Sequence, residues 1–167
     1  MITPSYVQLM ARYNAWQNAS LYKAADGLTP EERQKDRGAF FRSIEETLNH
    51  ILWADQIWMS RLAETGAPAA MTIPDSVSQH DWETFKSERV AFDKVIANWA
   101  DTVPPDQLEG DLTWYSGALG AEITRPRALL ITHMFNHGTH HRGQVHAMLT
   151  ASGAKPDDTD IPFMPGL

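Results

Sequence analysis

Apolar residues recur three and four positions apart in four long stretches of this chain, the spacing of one buried helix face. The first stretch opens at Thr3 or Pro4. Thr3 can cap it, with Pro4 at the first helical position, where a missing N–H costs nothing. Leu9, Tyr13, Trp16 and Ser20 or Leu21 follow at helical spacing. Asp26-Gly27 ends it, glycine being the usual residue just past a helix. Leu28-Thr29-Pro30-Glu31-Glu32 predicts a short helical turn, and Lys35-Asp36-Arg37-Gly38 a charged connector. The second long helix is predicted from Ser43, because Ser43-Ile44-Glu45-Glu46 matches a capping box. Its apolar face is Ile44, Leu48, Ile51, Leu52, Trp58 and Leu62, and Gly66-Ala67-Pro68 is its expected stop.

A loop to about residue 77 comes next. Ser78 with Asp81 offers the third start, and Trp82, Phe85, Arg89, Phe92, Ile96 and Trp99 line one side of the helix that follows. Asp101 to Pro105 closes it. Residues 106–124 hold Gly110, Gly117 and Gly120 among β-branched and aromatic residues, which predicts an irregular connection or a short hairpin. The last long helix is predicted from about Pro126 to Ala151, with Gly153 as its stop. The tail from Pro156 to Leu167 is expected to be extended and to need a surface for its apolar groups. Four long amphipathic segments make the expected fold all-α, a four-helix bundle with that short connection before the last helix. No internal repeat or composition break divides the chain, so residues 1–167 are expected to form one domain.

Composition narrows the function. A chain of 167 residues with 43% hydrophobic content can bury a full core. Its formal net charge of −7 and the lack of a Lys/Arg cluster argue against nucleic acid and anionic membrane as partners. There is no cysteine, hence no disulfide, thiolate ligand or internal thiol nucleophile. No uncharged apolar run approaches the roughly 20 residues of a membrane span. Met1 to Tyr6 has neither a basic nor an apolar leader region, so the expected location is the cytoplasm.

The histidines are the departure from ordinary composition. Five of the seven, His133, His137, His140, His141 and His146, fall in one window of the last helix. Residues four apart share a helix face, so His133, His137 and His141 form a stripe that Gln144 and Met148 continue. Two imidazoles at that spacing can close on one metal ion. The spacing admits either His133/His137 or His137/His141. A third ligand has to come from elsewhere, and His50 is the natural candidate because it lies among apolar residues in the second helix and has to be paired with something. His80 sits beside a predicted helix start and is expected to be exposed. His140 and His146 lie off the stripe and are read as solvated. Arg142 is read as a structural partner of an acid on a neighbouring helix in preference to a binder of a substrate carboxylate, and Gly143 as a point of close approach by another helix, within the bundle or across a dimer.

His137-Gly138-Thr139-His140-His141-Arg142-Gly143-Gln144, with His50 in Leu48-Asn49-His50-Ile51-Leu52-Trp53 upstream, resembles the DinB family, a group distinct from the DNA polymerase that shares the name. Tyr13-Asn14-Ala15-Trp16, Trp58, Arg61 and Asp160-Ile161-Pro162-Phe163 extend the likeness over essentially the whole chain. The resemblance implies a bundle with a three-histidine site for a divalent metal such as zinc or nickel. Its ligands fall on His50, His137 and His141, with His133 one turn away and Asp160 as a candidate acceptor for a ligand imidazole. It also implies a homodimer. The resemblance extends to thiol-dependent S-transferases and a thiol-dependent isomerase. The expected function is therefore a metal-dependent transferase that activates a small thiol toward an electrophilic small molecule. The alternatives are a non-catalytic metal-binding stress protein and a metal-dependent hydrolase. Hydrolysis usually employs a carboxylate near the metal, and His137 has Asn136 and Gly138 beside it instead.

Overall fold

A computed structural model describes residues 1–69, 72 and 81–166. The described residues are mostly helical. The elements are α1 (Pro4–Asp26), α2 (Pro30–Gln34), α3 (Ile44–Leu62), α4 (Trp82–Thr102), β1 (Asp111–Ser116), β2 (Ala121–Pro126) and α5 (Arg127–Ala151). Short 3₁₀ turns cover Pro105–Leu108 and Ile161–Phe163. The helix starts are where the sequence put them. Thr3 accepts from the Tyr6 N–H, Ser43 from the Glu46 N–H and Asp81 from the Thr84 N–H, each satisfying one of the amides a helix start leaves unpaired. At Ser43 the second half of the box differs from expectation. Glu46 accepts from the Ser43 hydroxyl at 3.2 Å, while the Ser43 N–H goes to the Phe41 carbonyl.

Two expectations need correction, the end of the second long helix and a close approach at Gly143 within the chain, while of the two readings of the connection before the last helix the hairpin holds. Helix α3 stops at Leu62, ahead of Gly66-Ala67-Pro68, and Glu64 turns the chain with a φ of 53°. The connection before α5 is a two-stranded antiparallel hairpin, with Trp114 opposite Ile123 and Thr113 opposite Thr124. Gly143 is not a close approach among the described residues, since a Cβ there would have nothing within 4 Å. The crowded glycine is Gly138, where a Cβ would sit 2.9 Å from the Arg142 guanidinium. Ser78 and His80 lie outside the described residues.

The four long helices pack in a closed cycle: α1 on α4 and α5, and α3 on α4 and α5. The core has two apolar parts. One gathers Val7 and Ala11 of α1, Met59 and Leu62 of α3, Ile96 and Ala100 of α4 and Leu130 to Phe135 of α5. The other gathers Leu21 and Ala25 of α1, Ile44 to Leu52 of α3, Phe85 of α4 and Val145 to Leu149 of α5. Each part joins the start of α1 and α5 to the end of α3 and α4, or the reverse. So α1 and α5 run one way, and α3 and α4 the other. The tail finds its surface along α1. The Asp157 N–H donates to Ser20, Gln17 to the Asp158 carbonyl, and the Tyr13 hydroxyl to the Thr159 carbonyl, while Met164 is buried.

Candidate metal centre

Between the two apolar parts the helices carry polar side chains. On one side His50 from α3 meets His137 and His141 from α5. Nε2 of His137 lies 3.2 Å from Nε2 of His50 and 3.1 Å from Nε2 of His141, and one nitrogen from each residue falls within 4.8 Å of the others. A protonated Nε2 on His137 can serve one of these neighbours, and an unprotonated one can accept from one. Hydrogen bonding therefore does not account for three nitrogens aimed at one point. A tetrahedral cation with bonds of roughly 2.1 Å to imidazole nitrogen separates its ligand atoms by roughly 3.4 Å. The donor set fits a divalent ion in type, number and spacing.

Neighbouring groups hold the rings. Nδ1–H of His141 donates to Oε1 of Gln144 at 2.7 Å, which leaves the lone pair on Nε2, facing the cluster. Phe41 stacks on His50 with ring centroids 3.8 Å apart and planes 21° from parallel. Phe41 is set there by a tight turn in which Arg42 has a φ of 65° and Asp36 accepts from the Gly38 N–H and the Arg42 side chain. Nδ1 of His50 is buried and has no hydrogen-bond partner among the described residues. Burial pushes His50 down to about 4, with His141 adding to the effect. Burial, then His141, His50, His133 and His140, push His137 down to about 3. Burial also lowers His141, against the opposing pull of Gln144. All three imidazoles are thus neutral at physiological pH, the form that ligates metal.

The other histidines of the window do not join the group, although the His133 ring lies 5.6 Å from that of His137 and the His140 ring 4.9 Å from that of His141. His133 is exposed and packs edge-on against Trp58. His140 is exposed and His146 half-buried. Asp160 lies across the molecule in a cleft between α1, α5 and the tail, with Tyr6, Asn136 and Thr139. Arg142 is buried, as its structural reading requires, but its partner is an amide rather than an acid. It donates to Oδ1 of Asn14 and, at 3.2 Å, to Thr139. Asn14 reaches Asp55 at 3.5 Å, and Asp55 accepts from Arg89 at 2.8 Å. Arg89 also donates to Asp93, which accepts from Asn18.

A cavity of about 490 Å³ opens beside the cluster, lined by His50 and His137 and by Trp53, Trp58, Arg61 and Trp114. That volume accommodates a small organic molecule. Trp58 and Arg61 belong to the stretches that carried the family likeness, but Trp114 comes from the hairpin and had no signal beyond being aromatic. Phe41 likewise gave no sign in the sequence, because its contact depends on the turn before α3.

A helical protein with three converging imidazoles at mid-helix and a cavity beside them is a candidate metalloprotein. The sequence profile of the DinB family matches residues 1–166, and the chain belongs to that family. It is similar to "Protein DinB" of Bacillus subtilis (strain 168), with 24% identity over 153 residues, spanning 89% of this chain and 87% of that protein. Among the described residues, no helix is long and apolar enough to cross a membrane.

Proposed function

We propose that this protein is a metal-dependent transferase that activates a small thiol, with His50, His137 and His141 holding a divalent ion, zinc or nickel. The carrying observation is the convergence of three neutral imidazole nitrogens beside a cavity of substrate size. Three neutral ligands leave the full charge on a divalent ion, which lowers the pKa of a thiol or water in the remaining position. A thiol starts near 8.5 and ionises well before water, and this cysteine-free chain has to take it from solution. In the transfer, the thiol releases its proton to solvent and its sulfur bonds to the electrophilic carbon. The leaving group departs with the electron pair of the bond that breaks. The chain's part is to orient: Gln144 and Phe41 fix the ligand rings, and Trp53, Trp58 and Trp114 wall the reacting pair from water. No carboxylate lines the cavity among the described residues, which favours transfer over hydrolysis, and a cavity of this size favours an enzyme over a non-catalytic metal-binding stress protein.

The packing cycle supports the four-helix bundle that the family resemblance implies, and we place the protein in the cytoplasm as a homodimer. A scattering mass fixed at the 18.8 kDa of one chain across a concentration series would rule the dimer out. The site is tested on untagged protein by metal analysis. His50→Ala, His137→Ala and His141→Ala each lose stoichiometric metal, and His146→Ala keeps it. Full occupancy in His141→Ala overturns the ligand set. The reaction is tested with a panel of low-molecular-weight thiols and a chromogenic electrophile. Turnover is expected to need both metal and His137. Equal turnover by metal-free protein, or none with any thiol, moves the reading to the metal-binding stress protein.

A further inference from the structure

Arg61 is the unexplained charge of the cavity. It lies on α3 about three turns beyond His50 and lines the same space. It is half-buried and makes no ion pair or hydrogen bond among the described residues. Its guanidinium instead lies 4.9 Å from the Trp58 ring and 5.7 Å from the Trp114 ring. The two indoles meet edge to face, 5.7 Å apart. Both rings lie within cation–π range of the guanidinium, and its N–H groups have no acceptor among the described residues. Every other arginine with restricted exposure in the core is answered: Arg33 by Glu45, Arg89 by Asp55 and Asp93, Arg142 by Asn14. Burial lowers the Arg61 pKa, with no anion among the described residues to offset the cost.

The rest of the lining points the same way. Arg61 is the one ionised side chain among the described residues around the cavity, in a chain whose net charge is −7. The walls are Trp53, Ile57, Trp58 and Trp114, and the far end is His50 and His137. The space is thus cationic at one end, aromatic along its length and metal-binding in character at the other.

We propose that Arg61 is the anchor for a carboxylate, and that the molecule bound in this cavity is a small carboxylic acid with a flat or apolar body. Its carboxylate pairs with the guanidinium, its body lies against the indoles, and its reactive end faces the histidines. A single planar fork with no lysine beside it matches a carboxylate, whose two oxygens take two parallel N–H bonds. A phosphoryl dianion calls for more donors. The inference rests on the proposed function for which end of the molecule reacts, but the anchor itself is measurable without any reaction.

The probe is 3-phenylpropionate against its uncharged amide, 3-phenylpropionamide, and against benzylphosphonate. Binding to the full chain is followed by tryptophan fluorescence, in metal-loaded and in chelated protein. In chelated protein the acid is expected to bind about 10-fold or more tightly than the amide, as one charge-assisted pair allows. Arg61→Gln is expected to bring the ratio near one, and Arg61→Lys to restore part of it. Equal affinity of acid and amide in the unaltered protein overturns the anchor, as does binding of neither, or a preference that survives Arg61→Gln. Tighter binding of benzylphosphonate than of the carboxylate replaces the assignment with a phosphoryl subsite. The wild-type comparison needs no variant to fold. A protein that binds no metal yet prefers the acid retains the anchor and loses the proposed function. One that shows metal-dependent thiol transfer without the preference does the reverse.

Discussion

Two polar regions share the middle of these helices, at the same depth between the same two apolar parts. In one, Asp55, Arg89, Asp93, Asn14, Asn18 and Arg142 answer one another across α1, α3, α4 and α5. In the other, His50, His137 and His141 aim nitrogen at nitrogen. The first pairs donors with acceptors within the chain and leaves only Asn18 Oδ1 and Arg89 Nε without a partner among the described residues. The second is an arrangement that a positive charge from outside the chain would satisfy. Buried polar groups are ordinarily paired donor to acceptor, so three nitrogens converging on one another, rather than polarity or depth, separate a candidate binding centre from a structural network.

Removing one member should therefore have opposite consequences in the two regions. Asp55→Ala leaves Arg89 with Asp93 alone and Asn14 without its acceptor, and is expected to cost about 3–5 kcal/mol by urea unfolding. His50→Leu fills a similar space and removes a buried nitrogen that has no partner among the described residues. The metal-free form of that variant is expected to be as stable as the parent or more so, while stoichiometric metal is lost. A destabilisation as large as that of Asp55→Ala would put His50 among the structural groups.

Chelation sharpens the same contrast from outside. An ion that binds the folded form alone, held at 100 times its Kd, adds about 2.7 kcal/mol. Its removal is expected to lower Tm by roughly 5–10 °C at this chain length and to leave the helical circular dichroism unchanged. Collapse of the fold on chelation would show that the ion is part of the core. A smaller effect is expected at Gln144. Gln144→Leu frees the His141 ring to rotate and should weaken metal binding about 10–100-fold in competition with a chelating indicator. Unchanged affinity would mean that packing alone sets the ring.

The smallest effect is on pH dependence. The folded pKa values of about 4 for His50 and about 3 for His137 lie below the roughly 6.5 of an unfolded histidine. Below pH 6.5 the unfolded chain takes up protons that the folded chain refuses. Their contribution to the stability of metal-free protein is thus fully present above that pH and lost as pH falls toward the folded values. Urea midpoints between pH 7.5 and 5 should fall, and fall less in His50→Leu. A flat profile would mean that these rings take up protons in the folded state.

Much of this was legible in the sequence because it is local. Thr3, Ser43 and Asp81 each cap a helix within three residues of themselves, and His137 and His141 are one turn apart on any helix. His50 was found because an imidazole among Leu48, Ile51 and Leu52 has to be answered by something. The structural network escaped because its pairs are distant in sequence: Asn14 with Asp55, Asp55 with Arg89, Asn14 with Arg142. Nothing in the neighbourhood of Arg142 distinguishes an acid partner from an amide. Gly143 and Gly138 look alike in a helix pattern, and what separates them is the Arg142 guanidinium folded back over Gly138.

The hairpin has a consequence for how this scaffold can diversify. The three clustered histidines stand on α3 and α5, whereas Trp114, Ser116, Gly117 and Ala118 of the cavity wall stand on β1 and its turn. Along β1 the inner positions Leu112, Trp114 and Ser116 alternate with exposed Thr113 and Tyr115, so the wall is a replaceable panel on a fixed frame. Exchange at 114 and 116 can change which molecules fit while every imidazole keeps its place. A lineage of such proteins can thus inherit one reactive centre and divide its substrates by rewriting a single strand.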